Sequence, residues 1–303
     1  MMSSNAKPRR LVHFTPLRYP GGKGKLAAYV KKIITENKLF DGEYVEPYAG
    51  GAAIGLELLL QEYVSTIHIN DLSQPVYSFW KAVLNDTDEL CRLIRDSELS
   101  VESWDRQKRI FANPDDHSYV QLGFATFFLN RTNRSGILNG GIIGGRAQTG
   151  AWKIDARYNA DELIFRIESI ANLRRRIMVT RTDALDLLSQ GIAQWPKKTL
   201  IYLDPPYYQR GRDLYYDFYR DNDHATLANF IKTEMNSRSW LVSYDNVTAI
   251  KDLYSGFRRV DYNVGYSARE SRQGAEVMFF SPQMVVPDLV GPVQQIGSIS
   301  VAT

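Results

Sequence analysis

A chain of 303 residues with 44% hydrophobic content and no apolar run near the ~18 residues needed to cross a bilayer suits one large domain, or one domain carrying an insertion, with no membrane partner. A single cysteine, Cys91, excludes internal disulfides and cysteine-cluster zinc sites; four scattered histidines give no ligand motif, so no metal is expected. The net charge of +3 is polarised: residues 1–40 carry +8 and residues 121–181 carry +6, leaving −11 on the rest, as in a polyanion-binding face on an acidic scaffold or in ordinary solvated helices.

The first ten residues lack the apolar core of a signal peptide, so a cytoplasmic location and a disordered start are expected. Residues 17–25, Leu-Arg-Tyr-Pro-Gly-Gly-Lys-Gly-Lys, form a glycine-rich turn able to wrap an anionic or zwitterionic ligand, without the spacing of a Walker A loop. A helix follows from about Leu26 to Glu36, because Leu26, Tyr29, Val30, Ile33 and Ile34 keep a 3.6-residue period. A short strand from Glu43 to Tyr48 runs into Ala49-Gly50-Gly51-Ala52 and an apolar helix through Leu60, the strand, glycine turn and helix of a nucleotide-binding unit. The next strand, 67–71, ends in Asp71, at the distance from the glycine turn where an acid reaches a ribose hydroxyl; equally, Asp71 can cap the helix that begins near Ser73.

Residues 73–130 read as helices, with Phe124, Phe127 and Phe128 more core than site. From Asn130 the texture changes to a glycine-rich segment through Lys153 that mixes basic and amide side chains. It reads either as a loop or hairpin presenting Arg131, Arg134, Asn139, Arg146 and Lys153 to a nucleic-acid groove, or as a hairpin that only covers the sheet. Strand and helix alternation resumes with a helix over 160–174 and a strand over 177–180. Asp183 follows, placed either to cap the next helix or to meet a ligand at a strand end.

An apolar strand over 199–203 then delivers Asp204-Pro205-Pro206-Tyr207 to its carboxyl end, where open α/β sheets bind ligands. The prolines donate no amide hydrogen, so the Pro205 carbonyl and the Asp204 carboxylate form a pair of acceptors beside a flat ring. That set suits an exocyclic amine on a planar base; the plain alternative is a proline turn with Asp as cap and Tyr as packing. Beyond it lie an aromatic and arginine-rich loop over 208–220, a helix near 223–235, a strand over 240–244, and a closing antiparallel pair over 257–264 and 277–281 around residues 268–274. Residues 282–303, with three prolines, read as an arm or disordered tail.

The order of these motifs resembles the DNA adenine methylase (Dam) family of S-adenosylmethionine-dependent amino-methyltransferases, over roughly residues 15–281. Arg18-Tyr19-Pro20-Gly21-Gly22-Lys23 is similar to the family's first cofactor motif, and residues 45–52, with Glu46, Pro47, Gly50 and Gly51, to its glycine-rich motif. Asn70-Asp71 resembles the acid on the cofactor ribose, and Asp183 the residue near its adenine. Residues 128–131 resemble the opening of the DNA-contacting region, and 204–207 the catalytic motif. Ala52 departs from the family, which usually carries glycine there, and the segment after Arg131 does not match the better-known members.

The resemblance implies a Rossmann-like methyltransferase sheet, catalytic over 1–84 and 160–281, with a mostly helical, loop-rich recognition insert over 85–159 and a tail over 282–303. It implies S-adenosylmethionine as cofactor and methylation of the adenine amino group in double-stranded DNA, with a cognate restriction enzyme as a candidate partner. Amino methylation of cytosine or of RNA, and DNA binding without catalysis, are the rivals. Cytosine carbon methylation is disfavoured, since it needs a cysteine after a proline and Cys91 follows Leu90.

Overall fold

Residues along the central strand alternate between two buried clusters, Leu200 and Tyr202 joining one and Ile201 and Leu203 the other. A strand that is apolar on both faces must be covered on both faces, which makes it the middle of a layered α/β structure. The computed structural model of the protein describes residues 14–18, 23–208, 219–264 and 274–301.

The strands are β1 (Gly42–Glu46), β2 (Val64–Asn70), β3 (Ile177–Thr180), β4 (Thr199–Leu203), β5 (Ser239–Asp245), β6 (Arg258–Val264), β7 (Gly274–Phe280) and β8 (Gln294–Val301). They form one sheet in the order β3-β2-β1-β4-β5-β7-β6-β8. The first five run parallel, while β7 pairs antiparallel with β6, as the closing pair was expected to do, and also with β5. The sheet is Rossmann-like, and its order reverses between β1 and β4. That switch point opens a crevice at the strands' carboxyl ends. Antiparallel β7 brings its first residues to the same edge, with Glu276 in register with Asp245 of β5 and Tyr262 of β6.

Helices α1 (Ala27–Glu36), α2 (Ala53–Leu60), α3 (Gln74–Asn85), α7 (Ala160–Ala171), α8 (Ala184–Gly191), α9 (Asp221–Glu234) and α10 (Thr248–Leu253) connect the strands. Between α3 and α7 lie α4 (Thr87–Arg95), α5 (Val101–Ala112) and α6 (Tyr119–Thr132). Ser118 and Gln121 close a capping box at the start of α6, and Phe124, Phe127 and Phe128 are buried along it. Residues of α3, α4, α6 and α7 belong to one buried cluster, so the helices of the 85–159 segment share a core with those of the sheet. After α6 the chain makes a tight loop, with an antiparallel bridge between Asn133 and Ile142. Among the described residues no helix is long and apolar enough to cross a membrane.

Two expectations about boundaries change. The first strand stops at Glu46, because Pro47 has no amide hydrogen to continue the ladder. The carboxyl-terminal segment is not a free tail. The carbonyls of Val285, Pro287 and Asp288 accept from Asn37, Tyr29 and Lys32 of the α1 region, and Gln294–Val301 then pairs with β6 as the sheet's last strand. The prolines mark a strap across α1. The uncharged run beyond them satisfies backbone groups that β6 would otherwise leave open.

Candidate functional site

The glycine turn after β1 is held through both polar groups of the Gly50 backbone. The Gly50 amide donates to Asp71 Oδ2 at 2.8 Å, the Gly50 carbonyl accepts from the Trp80 indole at 2.8 Å, and Asp71 Oδ1 accepts from the Ser73 amide at 3.0 Å. Asp71 thus braces the turn and ties it to Ser73, the residue at the start of α3, which is itself the N-cap in place of Asp71. Gly50 and Ala52 both have positive φ, 46° in each case. Ala52 therefore adopts a left-handed conformation that the glycine common in the family takes without strain. Asn70 ties the same edge together: its amide donates to the carbonyls of Pro47 and Thr182 at 2.9 Å each. Asp183 caps α8 by accepting from the Leu185 amide at 2.8 Å. Glu46, Pro47, Gly50, Gly51, Asp71 and Asp183 therefore line adjoining strand ends.

Glu46 is buried, with Oε1 accepting from the Tyr44 hydroxyl at 2.8 Å and Oε2 lacking any hydrogen-bond partner among the described residues. Burial, with the nearby Asp204 charge adding to it, outweighs the opposing pull of the Tyr44 hydroxyl and of the Gly55 amide in the first turn of α2, raising the Glu46 carboxyl to about 8. A buried acid with one unused oxygen beside a glycine turn fits a ligand that brings a cation or a hydrogen-bond donor.

Across the switch point, Asp204 leaves β4 with its side chain 24% exposed. Two donors meet it on Oδ1, the Ser243 hydroxyl at 2.7 Å and the Lys23 ammonium at 3.3 Å. Because Ser243 donates here, Tyr202, 2.9 Å away, donates to Ser243 in turn. Burial pushes the Asp204 carboxyl up, against the opposing pull of Lys23 and Ser243. Tyr207 is 7% exposed, with Lys23 Nζ 4.9 Å from its ring centroid. Its hydroxyl accepts from Lys23 at 3.2 Å and donates to Glu276 at 2.9 Å. Pro205 is buried and Pro206 half-buried between these two ends of the motif.

Lys23 joins this group from a short 3-10 turn, Lys23–Leu26, ahead of α1. Its shortest contact is with Glu276 Oε2, at 2.8 Å. Burial alone would lower the Lys23 ammonium, but Asp204 and Glu276 together hold it well above the ordinary lysine value. Tyr19, Gly21 and Gly22 lie outside the described residues, as do 1–13, 209–218 and 265–273 of the segments singled out in sequence. Arg18, just before that gap, is gripped by Asn130, which accepts from its amide at 2.7 Å and donates to its carbonyl at 2.8 Å.

The basic residues after α6 divide. The Arg131 guanidinium donates to the carbonyls of Arg157 and Pro16, and burial, with Arg18 and Arg166 nearby, lowers its pKa. Its role is to hold chain segments together. Arg134, Asn139 and Lys153 are exposed, and Arg146 is 64% exposed in a two-bond pair with Asp105. Sequence reasoning missed Glu276, Tyr262, Ser243 and Asn130. The one available signal was an acid just before the apolar run Val277-Met278-Phe279-Phe280.

A family model described as D12 class N6 adenine-specific DNA methyltransferase matches residues 19–267. The chain is 24% identical over 264 residues to Type II methyltransferase M.MjaIII of Methanocaldococcus jannaschii, covering 80% of this chain and 88% of that protein. It is also 24% identical over 250 residues to Type II methyltransferase M.CviBI of Paramecium bursaria Chlorella virus NC1A, covering 77% and 85%. Among solved structures, the rRNA methyltransferase AviRa of Streptomyces viridochromogenes aligns with a TM-score of 0.38 and 12% identity, over 87% of this chain and 86% of that one. M. capricolum TrmK in complex with S-adenosyl-homocysteine aligns at 0.35 and 6%, over 84% and 69%. Structural likeness at this level carries no argument about chemistry.

The buried Glu46 makes stability depend on pH. Its folded value of about 8 exceeds the ordinary 4.5, so its protonated form favours folding fully below 4.5, and that contribution is lost as pH rises through about 8. Glu46→Gln keeps the shape without the charge. Urea denaturation should find it less sensitive to pH across this window and more stable than the parent above pH 8, by an amount on the order of a few kcal/mol. An unchanged slope would remove Glu46 as its source.

Proposed function

The chain belongs to the D12 class of N6 adenine-specific DNA methyltransferases, and on that premise we propose which of its residues hold the cofactor, the target base and the duplex. S-adenosylmethionine supplies an electrophilic methyl group on a sulfonium. Around it, the Gly50-Gly51 turn would permit close backbone approach, the buried Glu46 carboxyl would receive the cofactor's ammonium, Asp71 would accept from the ribose, and Asp183 would stand near the adenine.

The amino group of a paired adenine is enclosed in the stack, so the target base leaves the duplex to react. Tyr207 offers its ring to the base, while Asp204 and the Pro205 carbonyl accept from the amino group and free its lone pair. The observation that carries this reading is the partly exposed Asp204 at the switch point, with Oδ1 fixed by Ser243 and Lys23. Formation of the carbon–nitrogen bond with loss of the carbon–sulfur bond would pass positive charge from sulfur to nitrogen. The Asp204 carboxylate stabilises that charge more in the transition state than in the ground state.

Losing one preorganised partner of this kind typically costs about 2.7 to 4 kcal/mol, or about 10² to 10³ in turnover. Methylation-aware sequencing of DNA from cells expressing the chain should reveal N6-methyladenine at one short sequence. Purified Asp204→Ala should bind cofactor and DNA almost normally yet turn over slowly in single-turnover assays. Wild-type turnover in that variant would place the chemistry elsewhere. A short methylated site would also be what a cognate restriction enzyme requires, and co-expression with candidate nucleases tests protection directly.

The exposed Arg134, Asn139, Arg146 and Lys153 lie on one loop and form the DNA-facing surface of this reading. The Arg146–Asp105 pair lies on the surface, where solvent screens it, so a phosphate can displace it. Charge reversal at Arg134 or Lys153 should weaken binding and reduce the salt slope by about one for each phosphate that the variant no longer neutralises. Unchanged affinity and slope in both variants would move the DNA to another face.

A further inference from the structure

Glu276 lies near the start of β7, is 2% exposed, and takes donors from three elements. Oε2 accepts from the Lys23 ammonium at 2.8 Å and the Tyr262 hydroxyl at 2.6 Å, and Oε1 accepts from the Tyr207 hydroxyl at 2.9 Å. Among the described residues, one ammonium and two hydroxyls converge on its two oxygens, a set of donors that favours the carboxylate form. Burying such a charge is costly, and a strand that is otherwise apolar here has simpler ways to pack. What distinguishes this acid is where its partners lead. Tyr207 is the last residue of the proline motif, and Lys23 is the cation shared with Asp204.

The distances rank the sharing, since Lys23 stands 2.8 Å from Glu276 and 3.3 Å from Asp204. Without a second carboxylate, the opposite charge left within reach of this buried ammonium among the described residues is Asp204, and the two would close on each other. We propose that Glu276 is a positioning residue for methyl transfer: it fixes the Tyr207 ring through its hydroxyl and draws the Lys23 ammonium off Asp204, leaving the Asp204 carboxylate open to the target amine. The inference rests on the reading that Asp204 receives that amine.

Among the described residues, the groups that face Asp204 are Lys23 from the first turn, Glu46 and Tyr44 from β1, Tyr202 from β4, Ser243 from β5 and Glu276 from β7. In the acid range Lys23 stays charged and Glu46 stays mainly neutral, so Glu276 is the neighbouring anion that opposes ionisation of Asp204. Removing its charge makes Asp204 easier to ionise, and releasing Lys23 toward Asp204 acts in the same direction. Loss of Glu276 therefore moves the acid limb of the rate to lower pH even as it slows the reaction. A purely structural role gives slower turnover or lower stability with the limb in place.

Single-turnover methylation of a DNA substrate, followed across the acid range at saturating cofactor, separates these outcomes. Glu276→Gln should reduce the plateau rate about 10- to 100-fold, the scale on which displacing a positioned group acts, and shift the acid limb downward. Glu276→Asp keeps the charge but withdraws it from Tyr207, so it should slow the plateau while leaving the limb near the wild-type position. A Glu276→Gln enzyme with the wild-type rate, or a slow one whose limb has not moved, overturns the proposal. If Glu276→Gln does not fold, Glu276→Asp is combined with Tyr207→Phe, which removes the hydroxyl that Glu276 holds: a lowered plateau in Glu276→Asp that the second change lowers no further supports the proposal, and a wild-type plateau or a fully additive loss overturns it. Failure of the underlying reading looks different, because Asp204→Ala would then be active whatever the Glu276 variants do.

Discussion

Lys23 carries a single buried ammonium that two carboxylates share, Asp204 at the end of β4 and Glu276 near the start of β7. Removing a charge from water costs several kcal/mol, and only well-placed opposite charges and hydrogen bonds offset it. Every element around the site supplies part of that offset. The first turn brings the ammonium, two strands of opposite direction bring the carboxylates, and Ser243, Tyr207 and Tyr262 add hydrogen bonds to them. The cluster sets two acidic side chains, Asp204 and Glu276, against the one Lys23 ammonium, an excess on the acidic side. An excess of that kind suits a reaction in which a positive charge passes from sulfur to nitrogen.

The sheet topology makes this arrangement possible. The parallel strands deliver Glu46, Asp71 and Asp204 to one edge, and β7, running the other way, brings Glu276 to the same edge by its amino end. A parallel seventh strand would have placed that acid on the far side. The helices on the first face extend the design outward, because Asn130 near the end of α6 grips the backbone of Arg18, five residues before Lys23. The loop that bears the exposed Arg134, Arg146 and Lys153 is thereby joined to the segment that carries the shared cation.

Much of this is legible in the sequence because local patterns encode it. Strand runs followed by Gly50-Gly51 or by Asp204-Pro205-Pro206-Tyr207 announce strand ends, and the acids at those ends follow from spacing. Glu276 is not legible in that way. It lies 69 residues beyond Tyr207 and 253 beyond Lys23, on a strand whose direction no short pattern reveals. Arg131 shows the complementary difficulty, since a basic side chain beside a glycine-rich loop looks the same whether it faces a phosphate or caps the carbonyls of Pro16 and Arg157. The strand at 294–301 is hidden by the prolines before it, because its pairing energy comes from the open edge of β6.

The shared cation is also the feature most directly open to measurement. Nitrogen NMR of labelled lysine side chains, assigned through Lys23→Arg, reports whether this ammonium titrates. Held by Asp204 and Glu276, it should keep its proton at a pH above the ordinary lysine value of 10.5, where exposed lysines have lost theirs. Titration of Lys23 alongside the surface lysines would mean that the two carboxylates do not share it, and the site would then need a different arrangement of charge.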